Sequence, residues 1–457
     1  MAAPSRSGSP PFAPKVCSTC RTRKKRCDKA LPCCGYCAEK GLQCQYQEQR
    51  FLGLDLVPRP SLSETSSTVE TTVCREVQRI ISFTGQQYLD EISVRYFQSI
   101  HWYLPIISRQ RFHAHLLSFG SDPRADFSVL LLSMCMLTYD PDPDRQDGRH
   151  VDSSTLYLAT KLLFSQAQTI GRPSLNLIQA GILIAVYEYA RGDRDLGFVS
   201  MGVCARMAYA AGLKQPTSLP SMNNDVYPDE EDGSTWWGIC MCERIALCDV
   251  SLVNQPLLSM MPKEVNAFSC RESESVLSTP SNVYQDGFRQ AMRATYLLDE
   301  LLEVLKAPES STKQRHLDDL DKSIQVFLTM TMQRFPMASG VYCGGISIAI
   351  RGLFLLHRQV LDRAKAPSGE IDCPKEAYLN SRAALDTVTK IVSDIATARQ
   401  QLSPDRMDAY PPTYAYLVRA ALKYIHDHCQ PLSPGSWLWE AEKRLQLSRD
   451  LLRRRWE

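Results

Sequence analysis

The chain has 457 residues, 44 % of them apolar and 22 % charged, which is ordinary for globular protein and ample for a sizeable core. Charge is unevenly spread: residues 1–50 hold ten Lys/Arg and three Asp/Glu, a balance of +7 against +2 for the whole, so the remainder sits at −5. A basic head on a mildly acidic body points to a polyanionic partner for the head. Met1–Pro14 is rich in Ser and Pro and lacks the apolar core of a secretion signal. The longest uncharged stretch, Phe335–Ile350, is broken by Pro336, Gly340, Gly344 and Gly345, so no membrane span is expected. These features set aside a secreted disulfide protein, and they make clustered cysteines candidate metal ligands in a reducing compartment.

In chain order, residues 1–16 read as a disordered leader and residues 17–44 as a cysteine module. Residues 45–75 read as a linker, because Pro58 and Pro60 break any helix and Ser61–Thr72 is nearly all Ser, Thr, Glu and Val. Residues 76–457 read as helical throughout. Apolar residues recur at helical spacing over Gln87–Trp102. Leu175–Ala190 is strongly apolar and stops at Arg191-Gly192, and Leu196–Ala211 stops at Gly212. Ser234 precedes an apolar stripe through Trp236-Trp237 toward Val250. Further helices are predicted near 284–306, 314–333, 346–364, 376–401, 413–428 and 437–454. No run of alternating strands with hairpin turns is present, and no repeat of 20–50 residues stands out.

The cysteines of the module are Cys17, Cys20, Cys27, Cys34, Cys37 and Cys44. Cys17, Cys20 and Cys27 repeat as Cys34, Cys37 and Cys44 with the same C-x2-C-x6-C spacing, which selects Cys34 over its neighbour Cys33. One tetrahedral zinc takes four thiolates and leaves two over. Two zincs need eight ligand positions, and six sulfurs fill them when two sulfurs bridge both ions. The repeat makes Cys17 and Cys34, the first of each half, the natural bridging pair. The expected fold is therefore a small irregular zinc-cluster module, two short helices around two zinc ions, plus a large all-α domain.

Such a cluster carries a formal charge of −2, which a surface for nucleic acid must outweigh. Arg21-Thr22-Arg23-Lys24-Lys25-Arg26 does so in the first half. The matching stretch, Ala38-Glu39-Lys40-Gly41-Leu42-Gln43, does not. The scaffold repeats and the charge does not, which assigns DNA contact to the first half. A short helix after Cys17 ends near these bases, and its negative dipole end favours cations there.

Cys17–Cys44 resembles the DNA-binding domain of the fungal binuclear zinc-cluster transcription factors in spacing, in the basic segment and in Pro32 ahead of the fourth ligand. The resemblance implies that Cys17 and Cys34 bridge the zincs and that Arg23 and Lys24 read the guanines of CGG-type triplets in double-stranded DNA. Arg23 departs from the lysine usual there. Arg21, Lys25 and Arg26 would chiefly touch phosphates. The body is similar to the regulatory middle homology region of the same family over roughly 90–365. Tyr96-Phe97 with Trp102–Ile107 is like its opening signature, and Gln179–Gly192, Gly202–Leu213 and Trp236–Arg244 are like later segments. The resemblance further implies a nuclear transcription regulator of RNA polymerase II genes working with the transcription machinery, and control of a local biosynthetic gene cluster. Gln45–Val57 has no sustained heptads, so a homodimer through the helical body, or a monomer on one triplet, is expected.

The rival class is a zinc-anchored protein-interaction module without base reading, and the charge asymmetry argues against it. The other candidates read as structural. Cys33 is a spare thiol. Cys240, Cys242 and Cys248 pack as small hydrophobes on an apolar helix, and Trp236 and Trp237 anchor a core. His113 and His115 point to different helix faces, and His426-Asp427-His428-Cys429 spreads its donors around a helix. No P-loop, G-x-S-x-G or H-E-x-x-H motif is present, and no catalytic residue is expected.

Overall fold

A computed structural model describes residues 13, 16–46, 66–84, 89–139, 151–216, 230–248, 255–261, 283–334, 343–364, 375–400 and 413–456. The chain divides into two compact units, Met1–Glu64 and Thr65–Glu457. In the first, two five-residue helices, α1 (Ser18–Thr22) and α2 (Gly35–Glu39), begin directly after Cys17 and Cys34.

The second unit is built of helices, with no strand among the described residues. Its first half holds α3 (Ser66–Phe83), α4 (Leu89–Gln98), a 3-10 turn at Ile100–Trp102, α5 (Arg109–Ser118), α6 (Ala125–Thr138), α7 (Ser153–Ala167), α8 (Leu175–Arg191), α9 (Arg194–Ala211) and α10 (Glu231–Leu247). The second half holds α11 (Val283–Lys306), α12 (Ser311–Arg334), α13 (Cys343–Ala364), α14 (Lys375–Gln400), α15 (Thr413–His428) and α16 (Trp437–Trp456). The predicted helices agree with α4 and with α8 onward to within a few residues.

One boundary differs. The linker was expected to reach residue 75, yet α3 starts at Ser66, and Val73 and Cys74 are buried. Its Ser/Thr-rich first turns are poor helix formers. They are held because Val73, Val77, Ile80 and Ile81 share one buried face, and α3 packs that face on α6 and α7. Packing overrides propensity here.

Helix starts are set by side chains that accept from orphan backbone N–H groups. Ser108 accepts from Arg111 N at 3.4 Å, Asp152 from Thr155 N at 2.9 Å and Ser174 from Leu177 N at 3.2 Å. α6 carries one charge, Asp126, and is otherwise apolar or hydroxylic all round, the mark of a fully enclosed helix. It lies among α3, α4, α7 and α8. Its buried Ser133 and Thr138 donate to the carbonyls of Val129 and Met134, so neither hydroxyl is left unsatisfied. α8 is buried from Asn176 to Ala190 and packs most broadly on α9. The second half gathers on α13, which touches α11, α12, α14 and α15. The two halves join where α10 packs on α11 and where α15 and α16 reach α8. There Trp456 meets the Tyr187 ring edge-on at 5.9 Å, and Tyr187 stacks on Tyr157 at 5.6 Å.

The segment Trp102–Ile107 is rooted in this core, with Leu104, Ile106 and Ile107 fully buried. Beside it Glu231, completely enclosed, accepts from Ser108 N at 3.0 Å, from Arg111 Nε at 2.6 Å and Nη2 at 2.8 Å, and from Gln179 Nε2 at 2.8 Å. Gln179 Nε2 also donates to the Ile106 carbonyl at 2.5 Å. Trp236 and Trp237 are buried core anchors, as expected. No described helix is long and apolar enough to cross a membrane.

Candidate metal centre and nucleic-acid interface

Within the first unit, the 17-residue sequence repeat is a repeat of backbone hydrogen bonds. Arg21 N donates to Cys17 O at 3.0 Å as Ala38 N donates to Cys34 O at 2.9 Å. Lys25 N donates to Cys20 O and Leu42 N to Cys37 O, both at 2.9 Å. The two loops fold alike because their cysteines are spaced alike, and each wraps its short helix around the sulfurs. The halves are tied by Ser18, whose N and Oγ both donate to Gln45 O at 2.7 and 2.9 Å, and by Thr19 Oγ1 on Gln43 O at 2.6 Å. Tyr46 OH closes the module on Ala30 O at 2.8 Å, so the fold extends two residues past the expected boundary at Cys44.

The six sulfurs form two groups of four that share Cys17 and Cys34. Cys17, Cys20, Cys27 and Cys34 make one, and Cys17, Cys34, Cys37 and Cys44 the other, with all donors of a group within 4.8 Å of one another. Four thiolates around a zinc at about 2.3 Å stand roughly 3.8 Å apart. Cys17 and Cys34 are separated by 3.8 Å, Cys17 and Cys37 by 3.8 Å, and Cys20 and Cys34 by 3.6 Å. The donor set fits zinc in number, softness and spacing. Burial pushes the Cys20 thiol up to about 12 and raises Cys37 too, so these sulfurs need a cation to stand as thiolates. Cys33 belongs to neither group and turns its thiol to the Cys34 carbonyl at 3.6 Å.

Arg21, Arg23, Lys24, Lys25 and Arg26 are all exposed. Arg21 lies in the last turn of α1, Arg23 is its C-cap, and Lys24, Lys25 and Arg26 follow. In the second half, Lys40 is paired with Glu39 at 3.3 Å. One positioning residue escaped the sequence reading. Asp28 accepts from Gly35 N through both oxygens, at 3.1 and 3.0 Å, and so caps the start of α2. A Cβ at Gly35 would lie 2.7 Å from Asp28 Oδ2, so any other residue there would push the carboxylate aside. An acid directly after the third cysteine and a glycine directly after the fourth were the available signal.

The remaining candidates fall outside this centre. His113 lies against Phe97 and Phe112 and His115 against Phe127, on different faces of α5. His428 stacks on Tyr424 and pairs with Asp362 at 3.1 Å, while His426 is exposed. Among the described residues, no other trio of metal-binding side chains converges.

A zinc-binding cysteine module followed by an all-α body defines a zinc-cluster transcription factor. The chain belongs to that fungal family: residues 15–51 match the fungal Zn(2)-Cys(6) binuclear cluster domain, and residues 94–327 match the fungal specific transcription factor domain. It is 33 % identical over 150 residues to transcription factor BOA15 of Botryotinia fuckeliana (strain B05.10), covering 32 % of this chain and 80 % of that protein. It is 32 % identical over 155 residues to transcription factor AN6788 of Emericella nidulans, covering 33 % of this chain and 23 % of that protein. It is 48 % identical over 52 residues to the asperfuranone cluster transcription factor afoA of Emericella nidulans, or 11 % of this chain and 7 % of that protein. No solved structure matches the chain.

Proposed function

We propose that Cys17, Cys20, Cys27, Cys34, Cys37 and Cys44 hold two zinc ions, with Cys17 and Cys34 bridging, and that the loaded module reads double-stranded DNA in the nucleus. The observation that carries this reading is the asymmetry of a symmetric scaffold. The two loops share their hydrogen bonds, yet only the first exposes five cations, Arg21, Arg23, Lys24, Lys25 and Arg26. Zinc chemistry asks for no such asymmetry, whereas docking one half on a polyanion does.

Arg23 and Lys24 reach base edges in the major groove, where a CGG-like triplet offers guanine O6 and N7 acceptors. Arg21, Lys25 and Arg26 lie on phosphates and set the register. The leader, apart from residues 13 and 16, and the linker over residues 47–65 lie outside the described residues. The helical body regulates the output, contacts the transcription machinery and supports a homodimer. One relative carries a gene cluster in its name, which supports control of a biosynthetic gene cluster.

Full-length protein tests the reading in two measurements. Metal analysis should return two zincs per chain, and one or none would sink the cluster. Binding to CGG and scrambled duplexes across a salt series should separate the basic residues. Lys24→Ala should lose about 1–3 kcal/mol on CGG only, and Lys25→Ala should weaken both probes alike and lower the salt slope by about 1. Equal losses on both probes for both variants would end the division of roles.

A further inference from the structure

Within the second unit, α9 buries one face against α8 and α10 and leaves another in solvent. That outer face is apolar, with Val199 62 % and Val203 39 % exposed. Residues 255–261 form an irregular strap beside it. The strap is pinned from inside by two neighbours on α10, Glu243 and Arg244, both buried. Glu243 accepts from Leu258 N at 2.7 Å, from Ser259 N at 2.9 Å and from the Ser259 hydroxyl. Arg244 donates to Ser259 Oγ at 2.5 Å and to Ser259 O at 3.0 Å. From α9, Tyr209 OH donates to Leu258 O at 3.1 Å, and Trp236 Nε1 of α10 donates to Met260 O at 3.1 Å. Burying an ion pair is costly unless backbone partners satisfy it, and here the strap's backbone is that partner. The strap is a fixed wall.

Between strap and α9 lies a groove of about 630 Å³, within the range of small-molecule sites. Its walls are Pro173, Phe198, Val199, Val203, Met207 and Leu258. Two charged residues line it, Glu243 and Arg206. The carboxylate of Glu243 is consumed by the strap and by Arg244 at 3.4 Å. Arg206, one turn beyond Val203 on the same face, is exposed and forms no ion pair with a described residue. We propose that this groove binds a small amphipathic anion, its apolar body against Val199, Val203 and Leu258 and its carboxylate or sulfonate on Arg206. This inference is independent of the DNA reading.

The test titrates full-length, zinc-loaded protein with the aromatic sulfonate 1-anilinonaphthalene-8-sulfonate and with its uncharged relative N-phenyl-1-naphthylamine, following fluorescence. Wild-type protein should show one saturable site for each dye. Arg206→Glu should weaken the sulfonate about tenfold, the scale of one charge-assisted contact, and leave the neutral dye within about twofold. Val203→Trp should fill the groove and abolish both. Both positions are exposed, so matching thermal melts will show intact folds. Dye binding indifferent to Val203→Trp overturns the proposal, as does equal loss of both dyes in Arg206→Glu. Two further outcomes also overturn it: a wild-type dimer that Val203→Trp converts to monomer, and a dye site that emerges only when residues 262–282 are deleted. Either would mean that protein, not a small molecule, covers this face.

Discussion

Lys24 occupies in the first half of the cysteine module the place that Gly41 occupies in the second. Each lies one residue past a helix C-cap, with φ of 51° and 60°. Their N–H groups donate to matching carbonyls, Arg21 at 3.2 Å and Ala38 at 3.4 Å. Glycine adopts this left-handed backbone freely, whereas a lysine bears about 1–2 kcal/mol. The contrast with Gly41 makes the Lys24 side chain, rather than its backbone, the point to test. Lys24→Gly is therefore expected to leave the stability of the zinc-loaded module within about 1 kcal/mol, because relief of strain is offset by a freer unfolded chain. Its affinity for the preferred duplex should fall by about 1–3 kcal/mol. Fluorescence anisotropy and thermal melts on the same samples measure the two effects. Binding lost only in proportion to fold would deny Lys24 a separate role.

Zinc removal should dissect the chain. The module has few buried groups besides its cysteines, and structural zinc supplies roughly 10–16 kcal/mol apparent in small zinc peptides. A chelator is expected to unfold residues 17–46 and abolish DNA binding. The near-ultraviolet circular dichroism from buried Trp236 and Trp237 should persist, since those rings belong to the second unit. Simultaneous loss of the tryptophan signal would show that the body depends on the metal.

Asp28 offers a subtler handle on the same module. Its carboxylate satisfies the Gly35 N–H and also accepts from Ala30 N at 3.3 Å. Asp28→Ala removes a charge-assisted helix cap and should cost about 1–2 kcal/mol. The readout is zinc affinity by competition with a chromophoric chelator. Affinity unchanged by the substitution would make the contact incidental.

In the body, Glu231 is the hub of a buried network linking α5, α8 and α10. Glu231→Ala strands the partly buried Arg111 guanidinium and the buried Ser108 N–H, and is expected to cost about 3–5 kcal/mol in urea unfolding. Zinc content of the surviving folded fraction should not change. A loss below about 1 kcal/mol would mean that water replaces the carboxylate at little expense.

His101 supplies a pH dependence. It packs edge-on to Phe97 at 4.9 Å, and burial, aided by nearby Arg109, lowers its pKa from 6.5 to about 3. The folded state keeps the ring neutral, while the unfolded chain takes up a proton below pH 6.5. Its contribution to stability is complete above that pH and is lost as pH falls toward 3. The slope is about 1.4 kcal/mol per pH unit within this window. Body stability should drop by about 2 kcal/mol from near pH 7 to about pH 5, and His101→Phe should flatten that part of the curve. A parallel slope in the variant would assign the effect to other groups.

Much of this protein is written in local pattern. Cysteine spacing named the six sulfurs and the pair Cys17 and Cys34, because the C-x2-C-x6-C unit repeats, whereas the two groups of four came from the structure. The basic run after Cys20 was legible for the same reason. Helices such as α8 and α9 carry their boundaries in sequence, in Ser174, Gly192 and Gly212, since capping is a contact between near neighbours. Asp28 was overlooked because its partner is a backbone N–H seven residues away, so the acid after Cys27 and the glycine after Cys34 were not read as a pair.

Tertiary structure alone decided what depends on distant pairing. The Ser/Thr-rich start of α3 becomes helical because α6 and α7 cover one of its faces. Arg111 and Glu231 meet across 120 residues, and the strap over α9 is held by a carboxylate on a different helix. Periodicity reports which face of a segment avoids water. It does not report which other segment will meet that face, because the choice is made by the packing of the whole core.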